Sequence, residues 1–191
     1  MFSEFDIHLI VRRCEAGDQS AMLALVQQYQ GQVFGLCYRM LGQRQDAEDA
    51  AQETFVRMLR HLQRWDPSRD FEPWLLAIAA NRCRTALAKR GRAPRSEILP
   101  EDRIEDDAQE RLAANQLAEE IQLALSCIRH EYREAFVLYH EHQRSYLEIA
   151  DMMKVPVGTI KTWVHRARKE LVGRLQRRSV IQDRKHEVRT V

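Results

Sequence analysis

Six residues near the C-terminal end of the chain carry hydrogen-bond donors that suit a nucleic acid. Ammonium, guanidinium and hydroxyl groups bind phosphate oxygens and the base edges of the major groove. In helical spacing, five of the six side chains cluster on one face and Arg166 lies on its flank. His165 belongs to this face, so its contact would depend on protonation. The six residues are Lys161, Thr162, His165, Arg166, Arg168 and Lys169.

Two predicted helices position this cationic face. Ser145 and Glu148 have the spacing of a capping box, which predicts the start of a short helix. Lys154–Pro156 then interrupts that helix, and proline suits the start of a second, longer one. The core side of the longer helix comprises Ile160, Val164, Ala167 and Leu171. This arrangement is typical of a DNA-binding helix-turn-helix, although an ordinary α-hairpin with a basic solvent-facing side is the alternative.

A second polar surface is predicted on a helix near residues 46–62. Alanines and larger apolar residues recur on one face of this helix. The opposite face carries carboxylates and an amide with no lysine among them, which favours a protein-docking surface over a merely solvated face. The docking candidates are Asp46, Asp49, Gln52 and Glu53.

The composition limits the class of protein. Among 191 residues there are only 7 glycines and 5 prolines, which favours long helices over turn-rich β structure. No apolar run approaches the ~20 residues that a membrane span needs, and the N-terminus lacks the pattern of a secretory signal. We therefore expect an all-α, cytoplasmic protein that does not insert directly into a membrane.

The sequence gives little support to enzymatic or metal chemistry. It contains no phosphate-binding glycine loop, no G-x-S-x-G motif and no complete metal motif. The four cysteines are far apart and form no C-x-x-C pair, which predicts reduced thiols. Cys127 and His130 could share a helix face, but two ligands do not complete a metal site. We expect no enzyme activity, no cofactor and no metal.

Charge is distributed unevenly along the chain, although the formal net charge is only +2. Six basic residues and no acid lie within residues 82–95, and seven basic residues against one acid lie within residues 161–178. Between these segments, nine acids stand against two arginines over residues 97–120. This pattern indicates two small helical domains that face polyanions and are joined by a flexible acidic linker. The predicted boundaries are 1–95 for the first domain, 96–111 for the linker, 112–178 for the second domain with the helix-turn-helix, and 179–191 for a tail.

Three stretches of the chain resemble the extracytoplasmic-function (ECF) sigma factors of bacteria. The first domain contains DAEDAAQETFVRML and FEPWLLAIAANRCRTALAKR, and the second contains YLEIADMMKVPVGTIKTWVHRARKEL. The resemblance covers nearly the whole chain, in the expected order. It implies that the two domains are sigma region 2 and sigma region 4, and that the protein directs RNA polymerase to specific stress- or signal-responsive promoters.

The resemblance also implies a role for each surface. The acidic helix would dock on the clamp helices of the largest polymerase subunit, the polymerase flap would be a further contact, and the helix-turn-helix would read the −35 promoter element. A loop and helix of region 2 would open the duplex at the −10 element, capture an extruded base and hold the single strand. An anti-sigma factor, often membrane-anchored in this family, would hold the protein inactive. The residues implied for the −10 element are Trp65, Arg69, Asn81, Arg84, Thr85 and Arg90.

Some choices stay open on the sequence alone. Trp65 could stack on a base or belong to the core, whereas Trp74, at helical spacing with Ile78, favours the core. The loop WDPSRDF contains no glycine, so its shape is not predicted. The alternative function is a conventional helix-turn-helix regulator that binds operator DNA without polymerase.

Overall fold

A computed structural model describes residues 4–90 and 109–178, and the side chains of residues 7–90 and 116–178. Within these residues the regular structure is entirely helical, as predicted. The elements, in chain order, are α1 Glu4–Glu15, α2 Gln19–Leu41, α3 Arg44–Arg60, a 3-10 turn at Leu62–Arg64, α4 Phe71–Arg90, α5 Gln109–Ser126, α6 His130–His140, α7 Tyr146–Met153 and α8 Val157–Arg177.

Helix α2 has a specific signal at each end. The Asp18 carboxylate accepts hydrogen bonds from the backbone N–H groups of Ser20 (2.9 Å) and Ala21 (3.2 Å). At the other end Gly42 adopts φ 77°, and its N–H donates to the carbonyl of Tyr38 at 2.8 Å. Only glycine adopts this left-handed conformation without a steric penalty. These caps bound the long helix against which α3 and α4 pack.

The first domain is built on α2, α3 and α4, which pack around one apolar core. Helix α3 contributes small side chains, which allow a close approach to its neighbours. Its polar face is thereby turned outward. The buried residues of this core include Leu25, Leu36 and Met40 from α2, Ala47, Ala50, Ala51 and Met58 from α3, and Leu75, Leu76 and Ala79 from α4.

The helix-turn-helix has the predicted caps. The Ser145 hydroxyl accepts from the N–H of Glu148 (3.2 Å), and the Glu148 carboxylate accepts from the N–H of Ser145 (2.8 Å). Lys154 ends α7 with φ 56°, and α8 begins directly after Pro156. The capping box and the break between the two helices are therefore confirmed.

The second domain packs α5, α6 and α7 around α8. The predicted core side of α8 is buried and continues to Leu175. Residues from α5, from α6 and from the turn between them, including Leu125, Leu138 and Ile128, cover it. The opposite side of α8 is consequently left to solvent.

The two domains pack directly against each other. Helix α2 contacts α5 and α6, and helix α4 contacts α7. Leu138, Ile149 and Ile160 of the second domain belong to the same apolar cluster as Leu36 and Leu75 of the first. Part of the second domain's core is thus continuous with the core of the first domain, and the rest forms a separate apolar cluster.

Some elements differ from the sequence prediction or lie outside the structural description. Helix α5 begins at Gln109, inside the stretch predicted as linker. The predicted tail and most of the linker lie outside the described residues, so their flexibility stays a prediction. In the described part of the chain, every helix is too short or too polar to cross a bilayer.

Candidate nucleic-acid interface

The outward face of α8 is a cationic surface open to solvent. The side chains of Lys161, His165, Arg168 and Lys169 are all exposed. Ion pairs within the second domain use other cations, such as Arg129, Lys154 and Arg178 at the ends of its helices. Since the only acid within residues 161–178 is Glu170, this face offers several charged donors to an approaching polyanion.

Two further candidates on α8 already have hydrogen-bond partners. The Arg166 guanidinium donates to the Tyr132 hydroxyl at 2.9 Å, and its carbon lies 5.9 Å from the centre of that ring. The Thr162 hydroxyl donates to the carbonyl of Gly158 at 2.9 Å. A base or phosphate would have to compete with Tyr132 for Arg166, so Arg166 is held on the flank of the cationic face.

The acidic face of α3 is exposed, but its members differ in how much they are engaged. Asp49, Gln52 and Glu53 are exposed, whereas Asp46 is half-buried and pairs with Arg90. Glu53 accepts a hydrogen bond of 2.7 Å from an arginine one turn later, which lowers the pKa of its carboxyl. Asp49 and Gln52 are therefore the members most available to a partner.

An apolar groove of about 510 Å³ lies beside this acidic face, between α2 and α3. Val26, Phe34 and Phe55 line it, and Gln52 is at its edge. Sequence reasoning missed this groove because helical periodicity shows that Phe55 is on the apolar side but not which partner covers it. The acidic ridge and the groove together form one mixed surface of the kind that a protein partner recognises.

Trp65 is a core residue. It is 6% exposed, and its indole N–H donates to the carbonyl of Arg69 at 3.0 Å. Its ring packs edge-on against Phe71 (5.4 Å between centroids) and lies 5.1 Å from the ring of His8. A buried indole with a satisfied N–H is an anchor. Of the two roles that the sequence left open for Trp65, this packing favours the core, because the ring has little surface left for a base.

The loop after Trp65 is ordered without glycine. One carboxylate oxygen of Asp66 accepts from both the N–H (2.9 Å) and the hydroxyl (2.7 Å) of Ser68. These hydrogen bonds lower the pKa of the Asp66 carboxyl. An aspartate that binds the backbone two residues later forms a turn by itself, which accounts for the shape that the sequence left open.

Two of the −10 candidates pair with acids of the second domain. Arg84 forms an ion pair with Glu134, whose carboxylate is fully buried in the structure. Burial raises the pKa of the Glu134 carboxyl to about 7, although Arg84 beside it acts in the opposite direction. Arg69 lies 3.3 Å from Asp151 of α7. Arg84 is therefore partly buried against α6, whereas Arg69 stays exposed beside α7.

Arg90 anchors the end of α4 to the turn between α2 and α3. Its guanidinium donates to the carbonyl of Leu41 and to the side chain of Gln43, both at 2.9 Å, and pairs with Asp46. The Leu41 carbonyl is at the C-terminus of α2, where cations are favourable. All of these contacts are within the first domain, so the structure gives Arg90 a structural role that its sequence position did not predict.

Asn81 is exposed, and it lies at a groove of about 260 Å³ between α3 and α4. Thr85, one turn later, donates to the Asn81 carbonyl at 2.9 Å. Trp74 and Ile78, which sequence reasoning assigned to the core, are only half-buried and form part of the groove wall. The groove is lined by Arg57, His61, Arg64, Trp74, Ile78, Asn81 and Arg82.

An aromatic wall among cations is the chemistry with which proteins bind single-stranded nucleic acid. Sequence reasoning missed Arg57, His61 and Arg64 because they belong to the end of α3 and the turn that follows it, and they meet α4 only in the fold. Their signal was weak in the sequence, since they fall outside the basic run at residues 82–95.

Cys14, Cys37 and Cys83 are buried, Cys127 is exposed, and all four are free thiols. In the described part of the chain no three histidine, cysteine or acidic side chains come together in a way that could hold a metal ion.

Comparisons with known proteins assign both domains. Residues 25–93 match the family Sigma-70 region 2, and residues 118–171 match Sigma-70, region 4. The ECF RNA polymerase sigma factor SigW of Bacillus subtilis is 32% identical over 180 residues, which cover 87% of this chain and 95% of SigW. The chain belongs to the ECF sigma factors. This confirms the resemblance that three sequence motifs predicted.

Other proteins are similar to this sigma factor in sequence or in fold. The RNA polymerase sigma-H factor of Pseudomonas aeruginosa is 31% identical, over 87% of this chain and 92% of its own. CnrH, solved in complex with the cytosolic domain of CnrY, matches with a TM-score of 0.62 and 25% identity over 88% of this chain and 96% of its own. The sigma factor RpoE of Bartonella quintana, solved with the anti-sigma factor NepR, has the same fold, with a TM-score of 0.68 and 21% identity over 80% of this chain and 95% of its own.

The two family matches show to which sigma region each surface belongs. The region 2 match includes α3, α4 and most of α2, and thus the acidic face, both grooves and Asn81. The region 4 match includes α6, α7 and most of α8, and thus the cationic face.

Proposed function

We propose that this ECF sigma factor reads the −35 promoter element with the outward face of α8, acting by binding and not by catalysis. The observation that carries the proposal is the exposure of Lys161, Arg168 and Lys169 on one face of a capped helix-turn-helix. Lysine and arginine side chains on such a helix reach both phosphates and guanine edges in the major groove. Thr162, His165 and Arg166 complete the contact surface.

The groove between α3 and α4 is the proposed binding site for the −10 element. Asn81 is exposed at this groove, and the cations around Trp74 provide the charge that a single strand requires. Arg69, Arg84 and Thr85 extend the same surface along the loop and helix α4. Trp65 and Arg90 support the surface from behind by holding the loop and the end of α4.

The acidic face of α3 is the proposed binding surface for core polymerase. Asp49 and Gln52 are exposed there, beside the apolar groove formed by α2 and α3. By analogy with the family, the partner is the clamp helices of the largest subunit, in the cytoplasm. Acids around an apolar groove suit a cationic, partly apolar helix.

An anti-sigma factor is proposed as the inhibitor of this chain. RpoE of Bartonella quintana was solved with the anti-sigma factor NepR, and CnrH with the cytosolic domain of CnrY. A partner that covered the acidic face of α3 and the cationic face of α8 together would block both polymerase and promoter.

A reconstituted transcription assay tests the proposal. The purified chain, mixed with core polymerase and a fragmented library of the source genome, is expected to produce transcripts from a small set of start sites. Those start sites should share −35 and −10 sequences. Core polymerase alone provides the baseline.

The control uses the chain without polymerase on the same DNA. Tight binding to duplex sites by the chain alone, combined with no selection of start sites in the presence of core, would favour a conventional helix-turn-helix regulator and would contradict the proposal.

A further inference from the structure

A polar cavity lies where the two domains meet. Its volume is about 420 Å³, and its walls come from α2, from the first turn of α4 and from the residues between α6 and α7. The lining side chains that decide its chemistry are Gln32, Glu72, His142 and Arg144. None of these four belongs to the proposed promoter or polymerase surfaces, so the cavity has no part in the functions proposed above.

Two buried polar atoms at this cavity have no hydrogen-bond partner among the described residues. They are Oε1 of Gln32 and Nε2 of His142, and His142 is 9% exposed. A buried polar atom without a partner costs free energy, so each such atom in a folded protein needs an explanation. Since both residues line the cavity, a ligand that enters the cavity is in a position to satisfy both atoms.

The groups available at the cavity are hydrogen-bond acceptors. The unpaired atom of Gln32 is an amide oxygen. Burial, and to a lesser degree Arg144, lowers the pKa of His142 to about 4, so the ring is neutral at neutral pH and one of its nitrogens accepts. The Glu72 carboxylate has Arg144 at 3.5 Å, which is longer than a usual N–H···O hydrogen bond. A ligand that matches these acceptors must carry several N–H donors.

The charges around the cavity favour a cation. Arg144 is shared by two carboxylates, that of Glu72 at 3.5 Å and that of Glu148 at 3.3 Å. Glu141 pairs with Arg39 at 2.9 Å. Three carboxylates thus face two guanidinium groups, and one negative charge is in excess. Glu72 is the carboxylate with the weakest described pairing, so it is the one most available to a ligand.

Glycines on α2 keep the cavity open. Gly31 and Gly35 are one helical turn apart and both line the wall. A Cβ placed on Gly35 would meet nothing within 4 Å outside its own stretch of helix. Glycine is less favourable than alanine in a helix interior, so helix stability does not account for this residue. A larger side chain at position 35 would occupy the cavity without a clash, which provides a direct way to block it.

We propose that this cavity binds a small organic cation of the alkylguanidinium class, through the Glu72 carboxylate, the Gln32 amide oxygen and the His142 ring. A guanidinium group presents five N–H donors in a planar fork that matches a carboxylate and leaves donors for two further acceptors. The alkyl part extends past Gly31 and Gly35. Because both domains contribute to the walls, the bound cation contacts both.

Isothermal titration calorimetry on the full chain tests the site. The probe is N-butylguanidinium chloride, and the control ligand is N-butylurea, which has nearly the same shape and no charge. The wild type is expected to bind the guanidinium compound with a Kd of about 1 mM or below, and the urea at least about tenfold more weakly. The guanidinium compound should also raise the midpoint of thermal unfolding, because a ligand that binds only the folded chain stabilises it.

Two variants with matched controls locate the binding. Gly35→Met fills the cavity and should abolish binding, whereas Gly173→Met, at a glycine of α8 that also has open space around it, should retain wild-type affinity. Glu72→Gln should weaken binding about tenfold. Glu15→Gln makes the same change in net charge at an exposed site of α1 and should leave the affinity unchanged. If Gly35→Met does not fold, as judged by circular dichroism, Gly35→Ala replaces it and a partial loss of affinity is expected.

Three results would each overturn the proposal. The first is no saturable binding by the wild type up to about 10 mM, which is expected if only water fills the cavity. The second is equal affinity for N-butylguanidinium and N-butylurea. The third is wild-type affinity in the folded variant at position 35. The measurements need neither DNA nor polymerase, so their outcome is separate from that of the proposed function.

Discussion

Lys161 and Arg168 contribute little to the fold, because their side chains extend from the face of α8 opposite the buried stripe. Lys161→Ala or Arg168→Ala should therefore leave the free energy of unfolding nearly unchanged. Each substitution is expected to weaken occupancy of the −35 element by about 1–3 kcal/mol if the side chain contacts a base. Footprinting of the reconstituted holoenzyme on a selected promoter measures the effect.

Arg129→Ala is the control for this prediction. Arg129 is exposed in the second domain and pairs with Glu131, outside the helix-turn-helix. Its loss should leave the footprint intact. Wild-type occupancy with Lys161→Ala and with Arg168→Ala would remove both residues from the promoter contact.

Residue type alone did not distinguish the side chains of region 2 that are available to DNA from those that stabilise the fold. Trp65 and Arg90 have side chains that bind nucleic acid in many proteins. Here the indole N–H of Trp65 donates to a loop carbonyl, and the guanidinium of Arg90 donates to a carbonyl at the end of α2. Both partners are backbone carbonyls, which leave no mark in the sequence. The positions of Asn81 and of the cations on α8 were predictable, because helical periodicity places them away from the core.

At the scale of the element, α3 combines a buried face of small residues with an exposed acidic face. Asp49→Lys combined with Glu53→Lys should reduce affinity for core polymerase by at least about tenfold at low salt, because two attractive charges become repulsive. The helix should persist, since both side chains are exposed. A titration of labelled chain with core polymerase measures the affinity.

The control for α3 is Glu15→Lys, which reverses an exposed acid at the end of α1. Its affinity for core polymerase should match that of the wild type. The difference between the α3 variant and the control should shrink as salt is raised, because exposed charges are screened. Wild-type affinity of the α3 variant at low salt would refute the docking surface.

Helix ends were more predictable than helix neighbours. Ser145 and Glu148 are three residues apart, so the sequence contains the whole capping box, and the structure has it. Helix α4 was harder to interpret. It packs against α2, α3 and α7, and a helix with partners on several sides shows a weaker one-sided pattern than α8 does.

For the whole molecule, the structure places a buried histidine at the contact between the domains. His142 is 9% exposed and lines a cavity with Gln32 and Gly35 of α2, where Glu72, Glu141 and Arg144 also contribute. Burial, and to a lesser degree Arg144, lowers its pKa from 6.5 to about 4. The histidine is therefore neutral in the folded chain at neutral pH.

This pKa predicts a loss of stability in acid. Between pH 6.5 and 4 the unfolded chain binds a proton that the folded chain does not, so stability rises with pH across that window. The contribution of His142 is complete above pH 6.5 and is lost as pH falls through 4. The loss should approach about 3 kcal/mol. Urea denaturation of the wild type and of His142→Gln at neutral pH and near pH 4 measures it.

His142→Gln should show a shallower loss in acid than the wild type, whereas His130→Gln, at an exposed site, should retain the wild-type loss. The Glu134 carboxyl, with its raised pKa, acts in the opposite direction but is present in all three proteins and cancels. Identical pH dependence of stability in His142→Gln and in the wild type would show that His142 does not cause the loss of stability in acid.

The sequence by itself determined the helical class, the capped helix-turn-helix, the cationic face of α8, the acidic face of α3 and membership of the ECF sigma factors. These features depend on residues a few positions apart, whose spacing decides helix faces and caps. The tertiary structure decided which candidates are accessible. Arg84 meets Glu134 fifty positions away and Arg69 meets Asp151 eighty-two positions away, and such pairs form only when the two domains pack, because burial of shared apolar surface brings α6 and α7 onto α4.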